Sequence, residues 1–368
     1  MVLCAIAPPS LLLRLADAGS RSAREAALET IRVSERLRGR RIAVARALRE
    51  QGVAVPPDRP GVTANTVFDV EGGEESALPG RQVRGDGDPP SADAAVNEAY
   101  DHAAATVAFY REVHARESID GRGLDLVSSV HFGQRYDNAF WTGEQMVYGD
   151  GGGGTFVAGA LTRSLDVIAH ELTHGVTQYT ANLVYEAQSG ALNESFSDVF
   201  GILVKQRAGG IDAASSDWLI GAGALEPSLG TALRSMLAPG TAYSGDDQPA
   251  DMDSYRDLPV DDDPRNDSGG VHINSGIPNR AFAEAARTLG GNAWETVGPV
   301  WYTVLTERLR ANAQFADAAA ATIAVAAERY GDGSREHDAV RGGWDAVKVA
   351  PTPGDGAQRS STRRPDPR

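Results

Sequence analysis

Cysteine is nearly absent: Cys4 is the single one among 368 residues, so no intramolecular disulfide can hold this fold together. No stretch approaches 18 consecutive apolar residues, which excludes a helix spanning a membrane. A secretory leader is not recognisable either. The start, Met1-Val2-Leu3-Cys4-Ala5-Ile6-Ala7-Pro8-Pro9, has no basic n-region, and its prolines interrupt the apolar stretch. The expectation is cytoplasmic synthesis, with action in the cytoplasm or after export by a non-classical route. Positive charge is also scarce. Lys and Arg number 35 against 50 Asp and Glu, and the net charge of −15 argues against nucleic acid as the partner.

What is present suffices for a large core. At 42% hydrophobic, the chain can form more than one domain. Charge is unevenly distributed. Residues 1–52 hold ten arginines and five acids, +5, which leaves −20 for the rest. A basic head on an acidic body suits a segment that docks onto its own protein; an amphipathic helix rich in arginine explains the charge equally well.

Residues 20–51 read as one long helix or two short ones, with Leu28, Ile31, Val33, Leu37, Ile42, Val44 and Leu48 at roughly helical spacing. Pro56-Pro57-Asp58-Arg59-Pro60-Gly61 looks like a linker. Residues 63–83 are strand-like, and Ser91-Ala92-Asp93 caps a helix reaching about Glu117. The aromatic-rich alternation from Leu124 to Tyr148 predicts an antiparallel sheet. The run Gly149-Asp150-Gly151-Gly152-Gly153-Gly154 closes it. No lysine follows and no helix opens there, so it is not a phosphate-binding loop. Helices are expected at 164–178, 188–207, 274–290, 292–311 and 313–330, with a loop-rich insertion at 208–271. Pro351 to Arg368 has the composition of a disordered tail. The domain expectation is 1–58 head and linker, 59–180 first lobe, 181–350 helical lobe and 351–368 tail.

The chemistry lies in His170-Glu171-Leu172-Thr173-His174. Residues four apart on a helix share a face, so two imidazoles project together and can bind one Zn²⁺. Glu171 beside them can reach a metal-bound water. A surface helix could carry the same letters, but Leu165, Ile168, Ala169 and Leu172 make this one too apolar to be solvated. Further along, Glu194 and Asp198 are again four apart. Glu194 can complete a His₂Glu site, and Asp198 can accept the outer N–H of a ligand histidine, most naturally His170.

Four runs then carry a resemblance: Val167 to Thr177; Gly190 to Asp198; Asp267-Ser268-Gly269-Gly270-Val271-His272-Ile273-Asn274-Ser275-Gly276; and Asn138-Ala139-Phe140-Trp141 with Met146-Val147-Tyr148-Gly149-Asp150. In order and spacing the chain resembles the thermolysin family of zinc metallopeptidases over about residues 62–350. Its Cys4-Ala5-Ile6-Ala7-Pro8-Pro9 start resembles the protealysin-like branch, whose members carry a short N-terminal pro-segment. The resemblance implies an α+β fold of two lobes, a sheet-rich N-terminal lobe and a helical C-terminal lobe, with the cleft between them. It implies a neutral endopeptidase with one catalytic Zn²⁺, acting on protein or peptide substrates as a monomer. Glu171 would be the general base, and His272 and Tyr185 the oxyanion donors, with Asp267 holding the His272 ring. Asn193 would stand with Asp198 behind the ligands. Asn138 and the Ala139 backbone would hold the substrate as an added strand. Arg234 would grip a carbonyl on the primed side. Val167 and Leu233, with Leu161 beside them, would line an apolar pocket, so cleavage is expected before Leu, Phe, Ile or Val.

The family's double calcium site is expected to be missing. Asp166 and Asp217 keep two of its positions, but Lys205 and Ala222 occupy others, and an ammonium neutralises carboxylates while repelling calcium. A Lys205–Asp166/Asp217 ion pair is the expectation. The head is expected to block the cleft as an intramolecular inhibitor until cut between about Gly52 and Thr63, anchored by Ile6, Pro8, Pro9, Leu11, Leu12 and Leu13. Cys4 either packs there or ligates zinc as a thiolate. A catalytically inactive, zinc-stabilised binding module is the rival reading.

Overall fold

The computed structural model describes residues 4–51 and 63–352, without the side chains of Cys4 and of residues 38–51. The expected linker and nearly all of the expected tail lie outside the described residues, as does the question of Cys4 as a ligand.

The N-terminal lobe is built on a six-stranded sheet in the order β1-β5-β6-β4-β2-β3. Its strands are β1 (Cys4–Ala5), β2 (Asn65–Asp69), β3 (Arg81–Arg84), β4 (Leu126–Val130), β5 (Ala139–Trp141) and β6 (Met146–Tyr148). The sheet is mixed, which corrects the antiparallel expectation: β4 runs parallel to both β2 and β6, while β5–β6, β2–β3 and β1–β5 are antiparallel. Alternating side chains fix which residues share a face but say nothing about strand direction. The parallel β2–β4 pair needs a long crossover, and α3 (Ala94–His114) supplies it. Asp93 caps that helix by accepting from Ala95 N.

The site rests on two helices packed side by side, α5 (Leu165–Gln178) and α6 (Ala187–Gly209), preceded by the short α4 (Ala160–Arg163). From Asp166 to Thr177 every residue of α5 is buried, so its polar side chains must find partners inside the protein. Gly201 lets the two helices approach closely. A Cβ there would stand 2.7 Å from the Asp166 carbonyl oxygen.

The insertion carries the small pair β7 (Leu219–Ile220) and β8 (Arg234–Ser235). Beyond it come α7 (Asp267–Asn274), α8 (Gly276–Leu289), α9 (Gly298–Thr303), α10 (Phe315–Tyr330) and α11 (Arg335–Ala346). The helix expected over 292–311 is only α9 and one wide π-type turn, Val304–Arg308, because Gly298-Pro299 starts the helix late. The polar α11 was not anticipated. Gly343 lets it lie directly on α8, where a Cβ would stand 2.2 Å from the Ala281 carbonyl oxygen.

The head folds as β1, α1 (Pro9–Ala18) and α2 (Arg21–Gln51), one long helix rather than two. Its buried face corrects two expectations. Leu28 is 54% exposed, and the stripe turned inward is Ala23, Ala26, Ala27, Thr30, Val33 and Leu37. Leu13 is only half-buried, whereas Ile6, Pro8, Pro9, Leu11, Leu12 and Leu15 are buried. No helix among the described residues is long and apolar enough to cross a membrane.

Candidate active site

On α5, His170 and His174 turn their Nε2 atoms to within 3.1 Å of each other. From α6, Glu194 places Oε2 3.4 Å from His170 Nε2 and Oε1 3.5 Å from His174 Nε2. All three side chains are sealed from solvent, and among the described residues they are the one group whose ligand atoms could share a metal ion. Two Nε2 atoms this close cannot both carry a proton. Burial opposes charge on both; Asp198 and Glu194 push His170 up to about 9, while His174 is pushed down to about 3. Glu194 Oε2 is buried without a hydrogen-bond partner. Two nitrogens and a carboxylate facing one another, with an unsatisfied oxygen among them, are a donor set that fits zinc.

Both histidine ligands are held from behind. His170 Nδ1 lies 2.8 Å from Asp198 Oδ1, and His174 Nδ1 lies 2.9 Å from Asn193 Oδ1 and 3.1 Å from Ser197 Oγ. Those acceptors fix the tautomers so that Nε2 faces the metal position. Asp198 is itself gripped by Arg234, whose Nε and Nη2 donate to its two oxygens at 2.7 and 2.8 Å. Asn279 Nδ2 adds a third donor at 2.8 Å. Sequence reasoning missed Asn279 and Ser197. Each is a polar residue on a buried helix face, which is the one signal that could have marked them.

Opposite the ligands, Tyr185 Oη hydrogen-bonds Glu194 Oε1 and lies 3.2 Å from His272 Nε2. The start of α7 explains how His272 is aimed. Asp267, Ser268, Gly269 and Gly270 all have positive φ, a left-handed stretch that its two glycines tolerate. That turn folds Asp267 back so that Oδ1 accepts from His272 Nδ1 at 2.7 Å and Oδ2 from the His272 backbone N–H at 2.7 Å. Burial opposes charge on His272, but Glu194 and Asp267 outweigh it and raise its pKa. Gln248 Nε2 secures the same turn by donating to the His272 carbonyl oxygen at 2.7 Å.

Glu171 sits against β5. Its Oε2 accepts from Trp141 N at 3.1 Å, while Oε1 is buried without a partner. Burial is the main reason its carboxyl is pushed up to about 8.

The head's first strand lies in this cleft. Ile6 N donates to the Ala139 carbonyl oxygen at 3.2 Å, and Ala7 N to Asn138 Oδ1 at 3.0 Å. Arg234 Nη1 donates to the Ile6 carbonyl oxygen and His272 Nε2 to that of Ala5, both at 3.1 Å. Ile6 is fully buried, as are Leu161, Val167 and Leu233. The head strand thus meets Asn138, Ala139, Arg234 and His272 in one cleft.

Lys205, Asp166 and Asp217 form a separate group behind α5. Lys205 Nζ lies 3.3 Å from both Asp166 Oδ2 and Asp217 Oδ2, and 3.0 Å from the Leu219 carbonyl oxygen. Asp166 also accepts from Gly221 N at 3.0 Å.

Known proteins match this arrangement. The thermolysin metallopeptidase catalytic domain family model covers residues 64–178, and the thermolysin metallopeptidase alpha-helical domain model covers 181–349. An extracellular metalloprotease of Pectobacterium carotovorum subsp. carotovorum is 42% identical over 354 residues, 94% of this chain and 96% of that protein. A thermolysin of Alicyclobacillus acidocaldarius subsp. acidocaldarius is 39% identical across 77% of this chain, which spans about half (51%) of that protein. Among solved structures, the precursor of protealysin, a metalloproteinase from Serratia proteamaculans, superposes with a TM-score of 0.81 at 42% identity. That match covers 94% of this chain and 100% of that one.

Proposed function

The chain belongs to the thermolysin family of metallopeptidases, and from that membership we propose how its residues share the reaction and what keeps the full chain latent. It is a zinc-dependent neutral endopeptidase made as a precursor. His170, His174 and Glu194 hold the zinc, which when bound acidifies a water and polarises a carbonyl. Glu171 takes the proton of the attacking water on its carboxylate and passes it to the departing amine nitrogen. His272 Nε2–H and Tyr185 Oη–H donate to the oxygen on which negative charge develops. Asp267 keeps the His272 ring oriented and charged.

Asn138 Oδ1 and the Ala139 carbonyl accept the substrate's N–H groups, and Arg234 donates to the carbonyl after the cut. The observation that carries this reading is that a peptide strand, the head's own, engages all of these groups at once. Val167, Leu233 and Leu161 form the wall of the pocket for the residue after the cut, so that residue is Leu, Ile, Phe or Val. Profiling the matured protein on a peptide library tests this. A preference for acidic or basic residues at that position overturns it.

The same strand supports latency by occlusion: while it lies in the cleft, no other peptide can reach Glu171. Lys205 supports stability without a double calcium site, its ammonium standing among Asp166, Asp217 and the Leu219 carbonyl. Adding calcium is then expected to leave the melting temperature of the protein essentially unchanged. A rise of many degrees contradicts that.

A further inference from the structure

The head strand lies in the cleft with the polarity and frame of a peptide positioned for cutting. Residues Cys4 and Ala5 pair antiparallel with Trp141 and Phe140. The oxyanion donor His272 takes the Ala5 carbonyl, and Arg234 takes the next one, that of Ile6. The two following N–H groups, of Ile6 and Ala7, go to the Ala139 carbonyl and Asn138 Oδ1. Ile6, an aliphatic side chain with no exposed surface, fills the position after the bond. The frame cannot slip forward. A shift of one residue would put Pro8 where Ala7 donates to Asn138, and proline has no N–H to give. It cannot slip back without replacing the fully buried Ile6 by the smaller Ala5, since strand register decides which side chains face the core.

We propose that the protein hydrolyses its own Ala5–Ile6 bond, so that its head is a bound substrate as well as a plug. This rests on the residue roles given above. Water oxygen bonds to the Ala5 carbonyl carbon, the bond from that carbon to Ile6 N breaks, and Glu171 delivers the proton to that nitrogen. The products are the peptide Met1–Ala5, ending in a carboxylate, and a chain that begins with the Ile6 amine. Water is the only co-reactant. The cut leaves the rest of the head in place, because Leu11, Leu12, Leu15 and the inner stripe of α2 stay buried against the body. The nicked chain therefore remains latent, and release needs the later cut in the linker.

The test is a time course of intact mass and N-terminal sequence on the full chain supplied with zinc, run at several protein concentrations. The expected result is loss of the residues before Ile6, at a rate independent of concentration, with a new N-terminus Ile6-Ala7-Pro8. That loss precedes any cut in the linker, and Glu171→Gln abolishes it. A chain that keeps residues before Ile6 while its linker is cut overturns the proposal. A readout independent of turnover is amide hydrogen exchange on the metal-free full chain. The Ile6 and Ala7 amides should be protected, and Ile6→Asp should speed both by at least about tenfold; unchanged exchange refutes the seat itself. Casein hydrolysis by linker-cut protein separates the two levels. Its absence removes the peptidase roles, whereas its presence with an intact Ala5–Ile6 bond removes only the self-cleavage.

Discussion

Asp198 holds more of the site than its position behind the metal ligands implies. It accepts from His170 Nδ1, from two Arg234 nitrogens and from Asn279, all inside the protein. Its carboxyl falls to about 2 because Arg234 and His170 more than offset the cost of burial. Asp198→Ala should therefore do two things at once. Zinc affinity drops by about 10–100-fold, since His170 loses the group that sets its tautomer. Stability falls by about 3–5 kcal/mol, since Arg234 is left buried and unpaired. Chelator competition and thermal melting measure the two, and wild-type zinc affinity in the variant contradicts the first. The sequence revealed Asp198 through its helical spacing from Glu194. It did not reveal Asn279, which reaches Asp198 from α8, 81 positions away along the chain. Spacing reports partners on one helix, not those brought together by packing.

His114 makes stability depend on pH. It stacks on Tyr302 with centroids 4.0 Å apart, and burial pushes its pKa down to about 3. Between that value and the ordinary imidazole range the unfolded chain binds a proton that the folded one refuses. Stability is thus intact above about pH 6.5 and is lost progressively as pH falls below it, by up to a few kcal/mol. His114→Phe keeps a stacking ring and removes the titration, so its acid unfolding midpoint should lie lower. An unchanged midpoint argues that His114 does not limit acid stability.

At the scale of elements, the glycine run gains a purpose the sequence left open. Gly154 has φ +112, and a Cβ there would stand 2.5 Å from Ala23 Cβ; one on Gly153 would stand 2.8 Å from Ala26 Cβ. The loop and α2 thus meet almost backbone to backbone. Thr30 Oγ1 accepts from Asp137 N at 3.0 Å beside them, and Asp137 in turn accepts from Thr155 N at 2.8 Å. Ala23→Leu should overpack this contact by about 1–3 kcal/mol. Uncut full chain should then hydrolyse a small peptide about tenfold faster, because more of it is open. An unaltered basal rate contradicts a docking role for the loop. The apolar residues of α2 were legible in the sequence, but the face they implied was wrong at Leu28. Periodicity weights large apolar residues, whereas a glycine surface selects small ones.

Lys205 bridges two elements, α6 and the segment leading into β7. Lys205→Ala leaves the buried Asp166 without its cation and should cost about 1–3 kcal/mol. Lys205→Asp gathers three carboxylates, and its melting temperature should rise with added calcium where the wild type's does not. A calcium response of equal size in both proteins contradicts the ion-pair account.

Across the whole molecule, the peptidase lobes and the basic head were readable in outline because motif order survives folding. Strand direction and α11 were not, since neither leaves a mark in local pattern. The +5 head on a −20 body favours docking, but screening beyond about 10 Å at ordinary ionic strength leaves the buried contacts of Ile6, Leu11 and Leu12 to hold it. Latency should therefore survive high salt. Once cleared, this cleft should hydrolyse peptides through zinc and Glu171. The most direct measurement is casein hydrolysis by linker-cut protein, with and without a zinc chelator, alongside Glu171→Ala. The expected result is turnover that the chelator abolishes and zinc restores, with Glu171→Ala still binding zinc but at least about 100-fold slower. Zinc-loaded, linker-cut protein that leaves casein intact, or Glu171→Ala at wild-type rate, would contradict it.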